Sequence, residues 1–103
     1  MRTVAFGLPC EYEMEAFLPI PKRHWTFSFP NGYGASIVGG PYCYGDGVRT
    51  FELAVLKHGR LYYYSPLTDD VLGWLNKEEV IQNLKKIQLW KRTYTRCKEY
   101  ENK

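Results

Sequence analysis

The sequence predicts a single α+β domain in which an antiparallel sheet of four or five strands, arranged as a meander, packs against a C-terminal helix on one face. Segments with a period of two occupy the first two thirds of the chain, and turn residues separate them. The period changes at Pro66-Leu67-Thr68, and after Asn76 apolar residues recur at a spacing of three or four, which is typical of a helix. A length of 103 residues with 17% aromatic content suits one domain with a small core.

The first predicted strand covers residues 11–18, where apolar side chains alternate with glutamates. Pro19 and Pro21 end it, because proline cannot donate a hydrogen bond to a neighbouring strand. We treat residues 1–23 as an N-terminal extension that contains this one strand.

Residues 24–65 are predicted to form the β-meander. Trp25, Phe27 and Phe29 share one parity, so one face of their strand is expected to be buried. Pro30-Asn31-Gly32 and His58-Gly59 are turn residues, since asparagine and glycine accept a positive φ at low cost. The four strands are expected at residues 24–29, 35–38, 51–55 and 61–64.

Residues 68–92 are predicted to be a C-terminal helical region. Thr68 is expected to cap a short helical turn over 69–75. Asn76 then begins the main helix, with Glu79 in the position that a capping box requires. Residues 93–103 form a basic tail. The stripe expected to pack on the sheet consists of Val80, Leu84, Ile87, Trp90 and Tyr94.

Charge is unevenly distributed along the chain. Residues 1–84 carry seven basic and nine acidic side chains, whereas residues 85–103 carry seven basic and two acidic ones. The basic end is either a solvated helix terminus that complements the helix dipole or a docking segment for an acidic partner.

Three widely spaced cysteines argue against a disulfide framework and fit a reducing, cytoplasmic setting. The opening residues stop being apolar too soon for a signal peptide. No apolar run approaches the roughly 20 residues that span a bilayer, so we expect no membrane association.

The glycine- and tyrosine-rich segment 39–47 is the most distinctive part of the sequence. A phosphate loop would need a lysine and a serine or threonine that open a helix, and neither is present. Two interpretations stay open: a long hairpin loop in which glycine only relieves backbone strain, or a binding loop. Tyrosine favours recognition because it offers amphipathic contact area at low entropic cost.

Catalytic and metal sites are not indicated. Cys43 would need an activating histidine to act as a nucleophile, and no spacing places His24 or His58 beside it. Asp69 and Asp70 suit a helix N-terminus, and the distant Asp46 does not complete a metal site with them. We therefore expect no enzyme activity, no cofactor and no metal.

Several blocks of the sequence resemble a family of small α+β proteins encoded by bacteriophages and prophages. The blocks are Phe29 to Val38, Gly40-Pro41-Tyr42, Tyr44-Gly45, Phe51 to Leu56 and Thr68 to Leu75. The resemblance covers about Phe27 to Ile87, and the first two dozen residues and the basic tail depart from it. It implies an accessory protein in the host cytoplasm, of a kind that binds and blocks host machinery, including antiviral systems such as CRISPR nucleases.

The resulting hypothesis is a non-enzymatic protein that binds a host protein, as an inhibitor of host defence. The alternative is a small nucleic-acid-binding protein that uses the basic C-terminal helix and tail, with tyrosines 62–64 as stacking residues. The oligomeric state is left open. The expected binding residues are Tyr33, Tyr42, Tyr44, Asp46, Lys91, Arg92 and Arg96.

Overall fold

The computed structural model describes residues 1–16, 20–67 and 70–92, which form an antiparallel sheet and a C-terminal helix. The predicted α+β class is therefore confirmed. The sheet has seven strands within these ranges, which exceeds the four or five expected. The elements are β1 (Arg2–Ala5), β2 (Leu8–Glu15), β3 (Lys22–Ser28), β4 (Tyr33–Gly39), β5 (Phe51–Lys57), β6 (Arg60–Leu61), β7 (Val71–Leu75) and α1 (Lys77–Gln88).

The strands follow the chain order from β1 to β6, and β7 pairs with β5. Strand β5 therefore has β4 along one side, and both β6 and β7 along the other. The pairing of β6 covers Leu56 and Lys57, whereas the pairing of β7 covers Phe51 to Ala54. Each of these pairs is antiparallel, as the predicted meander requires.

The prediction of one strand within residues 1–23 is wrong. This segment contains β1 and β2, and β3 already begins at Lys22. Phe6 and Gly7 make the β1–β2 turn, and both have a positive φ. Strand β2 pairs with β1 at Leu8–Glu11 and with β3 at Glu11–Glu15, so it joins the N-terminal hairpin to the main sheet.

The predicted helical turn over 69–75 is also wrong, because the described residues 71–75 form strand β7. Leu72 pairs with Leu53, and Val71 pairs with Ala54. A strand here supplies hydrogen-bond partners to the edge of β5, which a helical turn does not do. The reversal at His58-Gly59 is confirmed, since both residues adopt a positive φ between β5 and β6.

Helix α1 begins as predicted. The Asn76 side chain accepts a hydrogen bond from the Glu79 backbone amide at 2.8 Å, and the Glu79 carboxylate accepts one from the Asn76 amide at 2.9 Å. Val80, Leu84 and Ile87 are fully buried, which confirms that part of the predicted stripe. Tyr94 lies outside the described residues.

The helix ends at Gln88, four residues before the predicted end at residue 92. The Asn31 side-chain amide donates to the Ile87 carbonyl at 2.8 Å and to the Trp90 carbonyl at 3.1 Å. A side chain from the β3–β4 turn thus satisfies carbonyl groups that the end of a helix leaves without partners. The contact also fixes the C-terminal end of α1 beside this turn.

One face of the sheet carries the core, and two elements cover it. Helix α1 contributes Val80, Leu84 and Ile87, and the N-terminal hairpin contributes Phe6 and Cys10. The Phe6 ring lies 5.1 Å from the Phe51 ring and 5.5 Å from the Trp25 ring, in edge-to-face geometry. The core residues on the sheet itself are Trp25, Phe27, Ala35, Ile37, Phe51, Leu53 and Val55.

The sheet has two ends that differ in character. We call the end where β4 runs into residues 40–50 the loop end, and the end with the β3–β4 turn at Asn31 the turn end. The C-terminus of α1 lies at the turn end, because Asn31 binds its last carbonyls. The predicted binding residues are divided between these two ends.

Candidate functional site

The segment between β4 and β5 is a closely packed loop. A Cβ added to Gly39 would lie 2.2 Å from the Gly47 Cα, and one added to Gly45 would lie 2.7 Å from the Phe51 Cα. The Gly40 amide donates to the Gly45 carbonyl at 2.9 Å. Glycine is needed at positions 39 and 45 because the backbone passes too close for any side chain. The loop therefore presents its side chains from a compact base.

Asp46 organises the second half of this loop. Its carboxylate accepts hydrogen bonds from the backbone amides of Val48 and Arg49 at 2.8 Å and of Thr50 at 3.0 Å. These bonds favour the charged form and lower the pKa of Asp46 to about 2. The Asp46 oxygen that accepts these hydrogen bonds is thus occupied within the loop. The role of Asp46 as a binding contact stays a prediction.

This network gives a testable dependence of stability on pH. Because the pKa of Asp46 is about 2 in the folded protein and about 3.9 in an unfolded chain, the network stabilises the fold above about pH 4 and is lost as the pH falls towards 2. We expect Asp46→Ala to be less stable than the parent protein at neutral pH, by a margin that disappears near pH 2. Urea unfolding at a series of pH values measures that margin.

The matched control is Glu15→Ala, which removes an exposed carboxylate at the end of β2. Its stability should follow that of the parent protein across the same pH series. A margin for Asp46→Ala that stays constant from neutral pH to pH 2 would show that the carboxylate is not what holds the loop.

Three exposed aromatic side chains surround this loop, and we call them the loop face: Tyr42, Tyr44 and Trp74. Tyr42 is 99% exposed and Trp74 is 64% exposed. The Trp74 amide donates to the Tyr44 carbonyl at 2.7 Å, and Gly73 lies against the Tyr44 side chain. Strand β7 therefore brings Trp74 to a loop that is about 30 residues distant in sequence.

Two members of the loop face have an unusual backbone. Tyr42 has a φ of 65° and Trp74 has a φ of 55°, which is the left-handed region. Such conformations cost about 1–3 kcal/mol for residues other than glycine and persist only where the surrounding structure imposes them. The hydrogen bond from the Trp74 amide and the tight loop are the constraints that impose them here.

Tyr33 does not belong to the loop face. It begins β4 at the turn end, whereas Tyr42 and Tyr44 follow the far end of that strand. Strand β4 is seven residues long and begins at Tyr33, so its length of about 20 Å separates the two positions. The Tyr33 ring packs edge-on against Trp90 at 5.0 Å and lies 6.0 Å from Tyr62. The structure therefore separates residues that the sequence analysis grouped as one site.

Lys91 and Arg92 are exposed and directly follow Trp90, so they also lie at the turn end. Arg96 lies outside the described residues. Within the described part of the chain, the predicted binding residues thus form two groups. Tyr42, Tyr44 and Asp46 lie at the loop end, and Tyr33, Lys91 and Arg92 lie at the turn end. Trp74 is a member of the loop face that the sequence analysis missed, because it was assigned to a helical turn.

A polar cluster on the sheet face opposite the core was not predicted either. The His24 Nε2 atom lies 2.8 Å from the Ser36 hydroxyl and 3.3 Å from the Thr26 hydroxyl. The register places Glu13 directly opposite His24. A catalytic triad needs an acid hydrogen-bonded to the histidine and an oxyanion hole. Among the described residues, no hydrogen bond joins Glu13 to His24. Burial lowers the pKa of the His24 imidazole. The cluster links neighbouring strands.

Cys43 lies within the loop with its thiol directed at the Pro41 carbonyl, 3.6 Å away. Burial is the main cause that raises the pKa of this thiol. A thiol with a raised pKa is a weak nucleophile at neutral pH, because the thiolate is the reactive form. Cys10 and Cys43 are both free, and within the described ranges no three histidine, cysteine or acidic side chains gather as metal ligands.

No protein-family model, curated protein or solved structure matches the chain. In the part of the chain that the structure describes, no helix has both the length and the apolar character needed to cross a membrane.

Proposed function

We propose that the protein is a non-enzymatic, phage-type accessory protein that binds a host protein in the host cytoplasm through the loop face. The observation that carries the proposal is that Tyr42 and Trp74 are exposed and held in the left-handed region. Strained backbone that the fold maintains is concentrated at functional sites. Exposed tyrosine and tryptophan side chains are also the commonest anchors in protein interfaces.

Inhibition of a host defence system, such as a CRISPR nuclease, is the form of this function that the resemblance to phage proteins supports. An inhibitor needs a rigid contact surface more than it needs a reaction centre. The hydrogen bonds of Asp46 and the close glycine packing supply that rigidity, which reduces the entropy lost on binding.

Affinity capture from host lysate, followed by mass spectrometry and a measured Kd for each captured protein, tests the proposal. The test variant is Tyr42→Ser combined with Trp74→Ser. Loss of an anchor residue typically costs at least about 2 kcal/mol of binding free energy, or about 30-fold in Kd. We therefore expect the double variant to bind the captured partner at least about 30-fold more weakly.

The control is Met14→Ser, which removes an exposed hydrophobic side chain of β2 outside the loop face. It should retain the Kd of the parent protein. Absence of a stable partner, together with unchanged phage growth after deletion of the gene, would count heavily against the proposal. Equal loss of binding in the control and the double variant would show that the loop face is not the contact surface.

Nucleic-acid binding through the basic C-terminal helix and tail is the second candidate. Helix α1 ends with Lys85 and Lys86 in its last turn, and Lys91 and Arg92 follow it. Phosphate contacts release counterions, so this function predicts an affinity that falls steeply as salt is added. The observation that favours nucleic-acid binding is that these basic residues share the turn end with the rings of Tyr33, Tyr62 and Trp90.

A further inference from the structure

We infer that the turn end carries a second binding site, for single-stranded nucleic acid, in which bases stack on aromatic rings that the sheet places beside fixed positive charges. This site rests on the second candidate function, to which it gives a location and a class of ligand, and it shares no residue with the loop face. We call its rings the aromatic row: Trp90, Tyr33, Tyr62 and Tyr64. The inference depends on the packing of these rings, on the charge around them and on the exposure of the last ring.

The rings of the aromatic row follow one another at short and similar distances. The ring centroids of Trp90 and Tyr33 are 5.0 Å apart, those of Tyr33 and Tyr62 are 6.0 Å apart, and those of Tyr62 and Tyr64 are 6.0 Å apart. The inner rings are partly buried, whereas Tyr64 is 86% exposed. The row thus extends the core outwards and ends in a ring that is available for stacking.

Strand register places positive charge against this row. Tyr33 pairs with Lys57, and Lys57 pairs with Arg60, so the three side chains project from the same face of neighbouring strands. The Lys57 ammonium lies 4.8 Å from the centre of the Tyr62 ring and 5.8 Å from that of Tyr33. These are cation–π distances, which fix the ammonium group over the rings.

Further basic side chains surround the row. Lys86 lines a depression of about 330 Å³ together with Leu89 and Trp90, and Lys91 and Arg92 follow directly. Glu52 and Asp46 belong to the loop end, and Glu78 and Glu79 lie in the first turn of α1, at the other end of the helix. Asp70 is an acidic residue that directly precedes β7. Among the described residues, the basic side chains beside the row therefore outnumber the acidic ones.

This combination favours single strands over duplexes and over protein partners. A stacking platform needs unpaired bases, whose flat faces a duplex hides within its own stack. Positive groups beside the rings attract the phosphates that connect successive bases. An acidic protein would satisfy the charge, but several adjoining rings beside several basic side chains match the repeated bases and phosphates of a single strand.

Fluorescence polarisation with a labelled oligothymidylate of about 12 nucleotides tests the inference, since single-strand sites cover about 4–16 nucleotides. The same sequence in a duplex serves as competitor. The variants are Tyr64→Ala, which removes the exposed ring, and Lys57→Ala with its conservative partner Lys57→Arg. The control is Lys77→Ala, because Lys77 is an exposed basic residue at the opposite end of α1.

We expect Tyr64→Ala to weaken binding of the single strand by about 5- to 150-fold, which is the usual effect of losing one stacking residue. Lys57→Ala should weaken it and reduce the salt dependence, whereas Lys57→Arg should restore both. Lys77→Ala should bind as the parent protein does, and the duplex should compete poorly.

Equal binding by Tyr64→Ala and the parent protein would overturn the inference, as would a duplex that competes as well as the single strand. Absence of binding by the parent protein at low salt would do the same. The capture experiment uses the loop-face variant, which retains Tyr64 and Lys57, so failure of one proposal does not imply failure of the other.

Discussion

Replacing Phe6 with alanine is expected to lower the free energy of unfolding by about 3–5 kcal/mol, the usual cost of removing a buried phenylalanine ring. Phe6 is 8% exposed and contacts the rings of Trp25, Phe27 and Phe51. Alanine would leave a cavity bounded by three aromatic rings, which cannot collapse without moving β3 or β5. Urea unfolding followed by tryptophan fluorescence measures the change.

The matched control for this prediction is Val4→Ala. Val4 lies in the same short strand but is 70% exposed, so its replacement should change stability by no more than about 0.5 kcal/mol. Since the free energy of unfolding of such a domain is about 5–15 kcal/mol, Phe6→Ala should remove a large fraction of it. A loss below about 1 kcal/mol would show that the N-terminal hairpin is not part of the core.

Gly34→Ala is expected to be destabilising by about 3 kcal/mol or more, at the upper end of the cost of overpacking. A Cβ at this position would lie 2.1 Å from the Phe27 carbonyl oxygen and 3.1 Å from its carbonyl carbon. Both atoms are backbone atoms of the neighbouring strand, so no change of rotamer relieves the overlap. The β3–β4 pair would have to separate at the turn end. Chemical denaturation and amide exchange of β3 and β4 measure this effect.

Gly7→Ala is the matched control for Gly34→Ala. Gly7 has a φ of 82° and nothing within 4 Å of an added Cβ, so alanine there pays about 1–2 kcal/mol for the left-handed conformation alone. The difference between the two glycine variants isolates the steric overlap at Gly34. Equal losses in the two variants would contradict the close strand approach.

The parts of the fold that the sequence predicted are those determined by nearby residues. The alternation around Trp25 and Phe27 is visible along one strand, and the capping box of Asn76 and Glu79 spans four residues. The end of α1 was misplaced because it depends on Asn31, which is 56 residues distant from Ile87. A contact over that separation leaves no local pattern in either segment.

Strand β7 was missed for a related reason. Thr68 and two aspartates before an apolar segment are typical of a helix N-terminus. Instead, the pairing of Leu72 with Leu53 makes this segment a strand. Tertiary contacts regularly override such local preferences. A helical turn would not place Trp74 beside Tyr44, so the sequence does not predict that Trp74 belongs to the loop face.

The candidate site was predicted in composition but not in arrangement. Tyr33 and Tyr42 are close in sequence, and the single strand between them carries them to opposite ends of the sheet. The importance of Lys57 was also invisible, since it follows from its register with Tyr33 and Arg60. Cross-strand neighbours become known only when the pairing of the strands is known.

The irregular backbone of β7 has a consequence for self-association. A regular outer strand offers a row of unpaired amides on which a second molecule can build a continuous sheet. In β7 the Trp74 amide is already used by the Tyr44 carbonyl, and the pairing with β5 shifts register between Phe51 and Leu53. This border is thus a poor template for intermolecular strand addition.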